Sequence, residues 1–294
     1  MTNTTLTALI TLFIIVILLV HLQHKRTVTM LLTTNTYMGI LAFSIVLLST
    51  SIDVLKADVL GMSVLSEKSL VACQFQGFLI YERFGCCYSS FVLQAIYRLL
   101  RVLYPRRLFL QSFKFNFICI IIQWIVCFLL TLPSFIYRDA FFVLYKLDYC
   151  CGLRYERVPQ FLYIIFNVFV LPLIYMSIIY ARLIYFVSHQ NLQLLQTQQG
   201  RRAQRDYIIM RRILLTMIIL VLAGIPNLGL AFLVHFKPNL SGDYYMYRIE
   251  WMVPSVSMLT LSIGLVFITP RLTIVVVSCL QRKNQVVPQD NIRF

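Results

Sequence analysis

Seven runs of about twenty apolar residues, each closed off by charged or polar positions, dictate what this chain of 294 residues can become. They lie near 6–23, 30–52, 72–103, 115–137, 160–187, 212–236 and 247–268. A hydrocarbon layer roughly 30 Å thick is crossed by about 20 helical residues, because backbone N–H and C=O groups in lipid must satisfy one another. The third and fifth runs exceed that length, and the third carries Glu82 and Arg83 inside it. Glu250 and Pro254 interrupt the outer half of the seventh. The connecting stretches leave no room for a soluble domain. The sequence therefore predicts an all-α membrane protein, a single seven-helix bundle over 1–294.

Composition enters as a test of that expectation. The chain is 60% hydrophobic and 13% charged, with 26 Lys+Arg against 11 Asp+Glu and a net charge of +15. Such a basic excess suggests nucleic acid only on a polar surface, and there is little polar surface here. Few Gly and Pro, and Cys spread through a long apolar chain, exclude collagen, disorder and a small disulfide scaffold.

The first run has no basic start, and His21, His24, Lys25 and Arg26 follow it, so it reads as a retained span with an outer amino terminus. Threading from there puts 53–71, 138–159 and 237–246 outside, and 104–114, 188–211 and the carboxyl-terminal tail inside. The inner side then holds seventeen Lys and Arg against Asp206 and Asp290, whereas the outer side holds eight bases and eight acids. The whole +15 falls on the cytoplasmic face, as the positive-inside bias requires. The sequons at Asn3 and Asn239 both fall outside, making these residues glycosylation candidates.

No arrangement of His, Ser, Asp or Glu forms a hydrolase, zinc or phosphate-loop pattern, so no catalytic residue, metal site or cofactor is expected and the chain does not read as an enzyme. The four histidines sit at run ends, as solvated interfacial residues do. The third run is the informative one. From Cys73 to Arg98 is about 37 Å at 1.5 Å per residue, so one helix sets a thiol at the outer face and a guanidinium at the inner face. Outside is oxidising, and Cys150 or Cys151 in the following outer loop is available as a partner for Cys73.

The ordered set Cys73, Arg98, Pro105, Trp124 with Pro133, Pro172 with Tyr180, and Pro226 resembles the rhodopsin-like family of G protein-coupled receptors in a divergent form. In that family an acidic-Arg-Tyr motif ends the third helix; here Tyr97 and Leu99 flank Arg98. The resemblance implies that Arg98 and Tyr97 stand at the transducer crevice. It also implies that Asp206 pairs with Arg98 at rest, that Tyr180 meets Arg98 on activation, and that Pro226 lies in the moving sixth helix. Phe267 falls where the family's Asn-Pro-x-x-Tyr motif ends, within Ile263-Gly264-Leu265-Val266-Phe267. Alignment of the second run from Asn35 puts Ile45 at the family's sodium-linked carboxylate, and Gly224 replaces the sixth helix's aromatic switch. Sodium modulation and a water-linked relay are not expected.

The same register puts Ile80 where amine receptors carry an Asp, and the seventh run has no Lys, so amines and retinal are disfavoured as ligands. A peptide reading the tyrosine-rich outer loops and Gln76, Ile80, Tyr81, Phe84, Asn227 and Glu250 is the favoured expectation. Glu82 and Arg83 point about 100° apart on a helix and are candidates for ligand or interhelical contact. Pro270 to Lys283 reads as a short amphipathic eighth helix with Cys279 as a palmitoylation candidate. The expected protein is a multi-pass plasma-membrane receptor with an extracellular ligand, a heterotrimeric G protein and the lipid bilayer as partners, and no nucleic acid. Two other classes fit seven apolar spans: a small transporter or channel using Glu82 and Arg83, and a receptor-shaped protein that binds without signalling. The chain shows no internal repeat of the transporter kind.

Overall fold

The computed structural model describes residues 2–24, 27–60, 67–104, 106–145, 150–154, 157–190 and 246–268, with further positions between 218 and 236. Helices α1 (Thr2–His24), α2 (Val28–Leu60), α3 (Glu67–Leu103) and α4 (Phe113–Ile136) follow the first four runs. The fifth run gives α5, made of Val158–Ile165, a π-helical turn Phe166–Val170, and Leu171–Gln190. The described positions between 218 and 236 are helical and are termed α6, and α7 is Met246–Ile268. Four stretches are long and apolar enough to cross a membrane: Thr2–Gln23, Val28–Lys56, Phe113–Ile136 and Val158–Phe186.

Helix α3 is the longest, at 37 residues, and the least apolar of these elements. Its surroundings explain this. It packs against α2, α4 and α5, so polar side chains such as Ser90 and Gln94 find partners on a neighbouring helix, both bonding to Thr36 Oγ1 of α2. Helix α1 packs against α2 and α7. Outward positions of α4, such as Ile118, Ile122, Ile125 and Leu129, are about half exposed, which is how a lipid-facing surface looks without its lipid.

Hydroxyls within the spans bond back to their own helix. Thr11, Thr34, Ser44, Thr131 and Thr260 each donate to the carbonyl four residues earlier, which hides a polar group from hydrocarbon at little cost. Pro172 lacks an N–H, and its ring would crowd the Val168 carbonyl in a regular helix. The π-helical turn just before it widens the backbone where that conflict falls. At the amino-terminal end of α4, Ser112 caps the helix by accepting from Phe115 N at 3.2 Å.

Two elements differ from the sequence expectation. Helix α2 runs to Leu60 and α3 begins at Glu67, so both project beyond the apolar runs into the expected outer loop 53–71. The expected outer loop 138–159 carries a helical turn, Arg138–Phe141, and a hairpin of β1 (Phe142–Tyr145) with β2 (Cys150–Leu153). The register pairs Phe142 with Leu153 and Tyr145 with Cys150. Strands of four residues are too short for their alternation to stand out in a sequence, which is why an all-α reading missed them.

Candidate functional site

Near the amino-terminal end of α3, Cys73 is bonded to Cys151, with Cα atoms 5.5 Å apart. This ties β2 to the top of α3. The hairpin then folds inward: Cys151 and Leu153 are buried, and Phe142 is 1% exposed. Its ring stacks on Tyr81 with centroids 6.2 Å apart. Gly77 makes room for it, since a Cβ there would stand 2.9 Å from Phe142 Cδ1. The Tyr145 hydroxyl donates to Leu153 O at 2.6 Å and closes the hairpin on itself.

Beneath the hairpin lie the expected ligand contacts of α3. Ile80, Tyr81 and Phe84 are buried side by side in the main core. Phe84 joins Phe43, Tyr88 and Phe169 in a cluster with neighbouring centroids 4.9 to 5.3 Å apart. A Cβ on Gly224 would meet the Phe169 ring at 3.1 Å. The place left by the absent aromatic of α6 is therefore filled from α5. Gln76 sits higher and donates to Ser49 Oγ and Asp53 Oδ2, each at 3.1 Å. Asn227 and the Glu250 side chain lie outside the described residues.

In the middle of the bundle, Asn35 links α2 to α4. Its amide donates to Gln123 Oε1 at 2.9 Å and accepts from Trp124 Nε1 at 2.8 Å. Gln123 passes the link to α3 by donating to Cys86 O at 3.0 Å. Glu82 and Arg83, adjacent on α3, turn toward each other despite their angular separation: Arg83 Nε lies 3.0 Å from Glu82 Oε2. The two are close enough for an ion pair but not aligned as a hydrogen bond, so Glu82 Oε2 is left without a donor. Glu82 Oε1 accepts from the Cys86 thiol at 3.3 Å, and the Arg83 guanidinium lies 5.3 Å from the centroid of the Trp124 ring.

Toward the carboxyl-terminal end of α3, Tyr180 is buried on α5 and close enough to Arg98 to feel its charge. Tyr97, where the family carries an acid, packs with Val28 and Leu32 at the start of α2. Asp206, Pro226, Pro105, Asn239 and Cys279 fall outside the described residues, as does the 270–283 segment. Asn3 lies in the first turn of α1, where its carbonyl accepts from Thr7.

Two positions face the wrong way for the roles alignment suggested. Phe267 is 68% exposed, because α7 buries Met258, Leu261, Ser262 and Leu265, and a residue two past Leu265 is turned about 200° away. Ile45 is 54% exposed, while α2 buries Tyr37, Ile40, Phe43, Ser44 and Leu47. An interior carboxylate position therefore cannot be Ile45. Sequence reasoning also missed Tyr37, whose hydroxyl donates to Ser262 O at 2.9 Å and joins α2 to α7; a tyrosine in an apolar run gives no such signal. No group of His, Cys, Asp and Glu suited to a metal ion occurs among the described residues.

No curated protein sequence matches the chain. A family model, the 7 transmembrane receptor (rhodopsin family), matches residues 12–280, which include every helix of the bundle in whole or in part. With α3 carrying a disulfide-held hairpin near its amino-terminal end and an arginine whose charge reaches a buried tyrosine near its carboxyl-terminal end, this multi-pass membrane protein belongs to the rhodopsin family of seven-transmembrane receptors.

Proposed function

We propose that the chain is a plasma-membrane receptor that takes a peptide ligand from outside and activates a heterotrimeric G protein inside. The observation that carries this reading is the continuity of α3. One helix runs from the disulfide at Cys73, through Tyr81 under the hairpin, to Arg98 beside Tyr180. A ligand that displaces Phe142 acts on the same rigid element that holds the inner guanidinium. The hairpin supports a peptide: its backbone and the aromatic residues around it offer an extended surface at the outer mouth, whereas a small cation has no carboxylate at Ile80 to meet.

In this reading Arg98, Tyr97, Tyr180, Asp206 and Pro226 belong to the coupling end, with Asp206 restraining Arg98 at rest. The amino terminus and hairpin are extracellular, the 270–283 segment lies on the inner leaflet, and Cys279 is acylated there. Nucleotide exchange on co-expressed G proteins tests the proposal directly. Arg98→Ala should abolish exchange while leaving surface expression intact, and Asp206→Ala should raise basal exchange. Equal activity in all three proteins would sink it. A peptide-library screen on the same readout identifies the ligand.

A further inference from the structure

The segment that joins α3 to α4 carries charge of one sign. No Asp or Glu occurs between Arg83 and Arg138, and Arg101, Arg106, Arg107 and Lys114 are all exposed. Among the described residues none of these four meets a carboxylate. In their midst stand Leu108 and Phe109, 75% and 71% exposed. Two bulky apolar side chains left in water forgo the burial their area would otherwise supply, so such a tip beside unpaired bases calls for a surface to cover it.

The tip is held in that shape from both sides. Leu108–Gln111 is a 3-10 turn. Arg107 N donates to Tyr104 O at 3.2 Å, and Gln111 Nε2 donates to the same carbonyl at 3.4 Å. Asn116, buried in the first turn of α4, donates to Leu110 O at 3.1 Å and to Ser112 O at 2.9 Å. The Phe109 ring rests on Phe115, with centroids 5.2 Å apart. The stretch of α4 that is long and apolar enough to cross a membrane begins at Phe113, so the turn sits at its edge, where headgroups meet hydrocarbon. At that level apolar side chains enter the acyl boundary, and a guanidinium fork matches a phosphate in bidentate fashion.

We propose that the 106–114 turn docks on anionic phospholipid, with Leu108 and Phe109 in the acyl boundary and Arg106, Arg107 and Lys114 on the headgroup phosphates. An acidic protein surface would match the charge alone. A bilayer matches the charge, the apolar tip and the continuation into α4, because Lys114 shares its helix face with Phe117 and Ile118, each about half exposed at the start of the membrane-crossing stretch. The proposal rests on neither the peptide nor the signalling reading.

The test uses the full-length protein in phosphatidylcholine nanodiscs, whose two faces are both open, so orientation in the cell does not enter. The probes are photoreactive phosphatidylserine, with a diazirine close to its glycerol, and a phosphatidylcholine of the same build. Peptides covering 101–118 should take up the serine probe about fivefold more than the choline probe, the factor one base contributes at an anionic surface. Arg106→Gln combined with Arg107→Gln should bring the two probes to parity with the Cys73–Cys151 bond intact. Equal labelling of the unmodified protein by the two probes overturns the proposal and leaves the face to a protein partner. An excess confined to other basic segments, or one unchanged in the double variant, also overturns it. So does loss of the label when inorganic phosphate replaces chloride at constant ionic strength, since the turn would then be a site for free phosphate rather than for lipid. The two-probe comparison on the unmodified protein decides even where the variant fails to fold.

Discussion

The unusual residues of this bundle are those for which lipid offers no solvent. Asn35 satisfies both ends of its amide within protein, toward Gln123 and Trp124, and interhelical bonds of this kind contribute about 0.6–1.7 kcal/mol each. Asn35→Ala should therefore lower unfolding free energy by roughly 1–2 kcal/mol, read from the denaturation midpoint in mild detergent. A double-mutant cycle with Trp124→Phe should return a coupling of a few tenths of a kcal/mol or more; independent effects would show that the bond does not form. Gly77 is a different kind of constraint, since its missing Cβ is the space Phe142 occupies. Gly77→Leu should displace the ring and destabilise the hairpin by about 1–3 kcal/mol, visible as faster proteolysis within 138–159. The sequence shows Asn35 and Gly77 as two ordinary residues in apolar runs. Their importance depends on partners 89 and 65 positions away along the chain.

At the scale of the element, the hairpin and α3 act together. Sequence spacing left Cys150 and Cys151 equivalent as partners for Cys73; the fold joins Cys73 to Cys151. Cys151 is buried on the face of β2 that meets α3, and in the register it lies opposite Leu144. Peptide mapping without reduction should find Cys73 joined to Cys151 in the Cys150→Ser variant. Cys151→Ser should lose the bond and about 2–5 kcal/mol of stability. Helix α5 teaches a similar lesson. Pro172 is legible in the sequence as a helix disturbance, but the π-helical turn and the placement of Phe169 against Gly224 are not. They arise because the widened turn redirects side chains toward a neighbour with no Cβ of its own.

For the whole molecule, the charge asymmetry predicts orientation. An epitope at the amino terminus should stain on intact cells and one at the carboxyl terminus only after permeabilisation; the reverse pattern would contradict the positive-inside threading. Run length by itself determined the class of structure, because any chain with such runs must satisfy its backbone within helices once it meets a bilayer. The ordered anchors Cys73, Arg98, Trp124, Pro172 and Pro226 likewise determined the family, which the match over 12–280 shows. Facing was beyond the sequence. In a helix surrounded by lipid and protein alike, both sides are apolar, and hydrophobic periodicity cannot say which side is inward. Only packing decided that Ile45 and Phe267 look outward and that Tyr37 reaches α7. Packing also turned Arg83 onto Trp124 and Glu82, because at that depth a charged side chain settles on whatever polar or aromatic partner its neighbours supply.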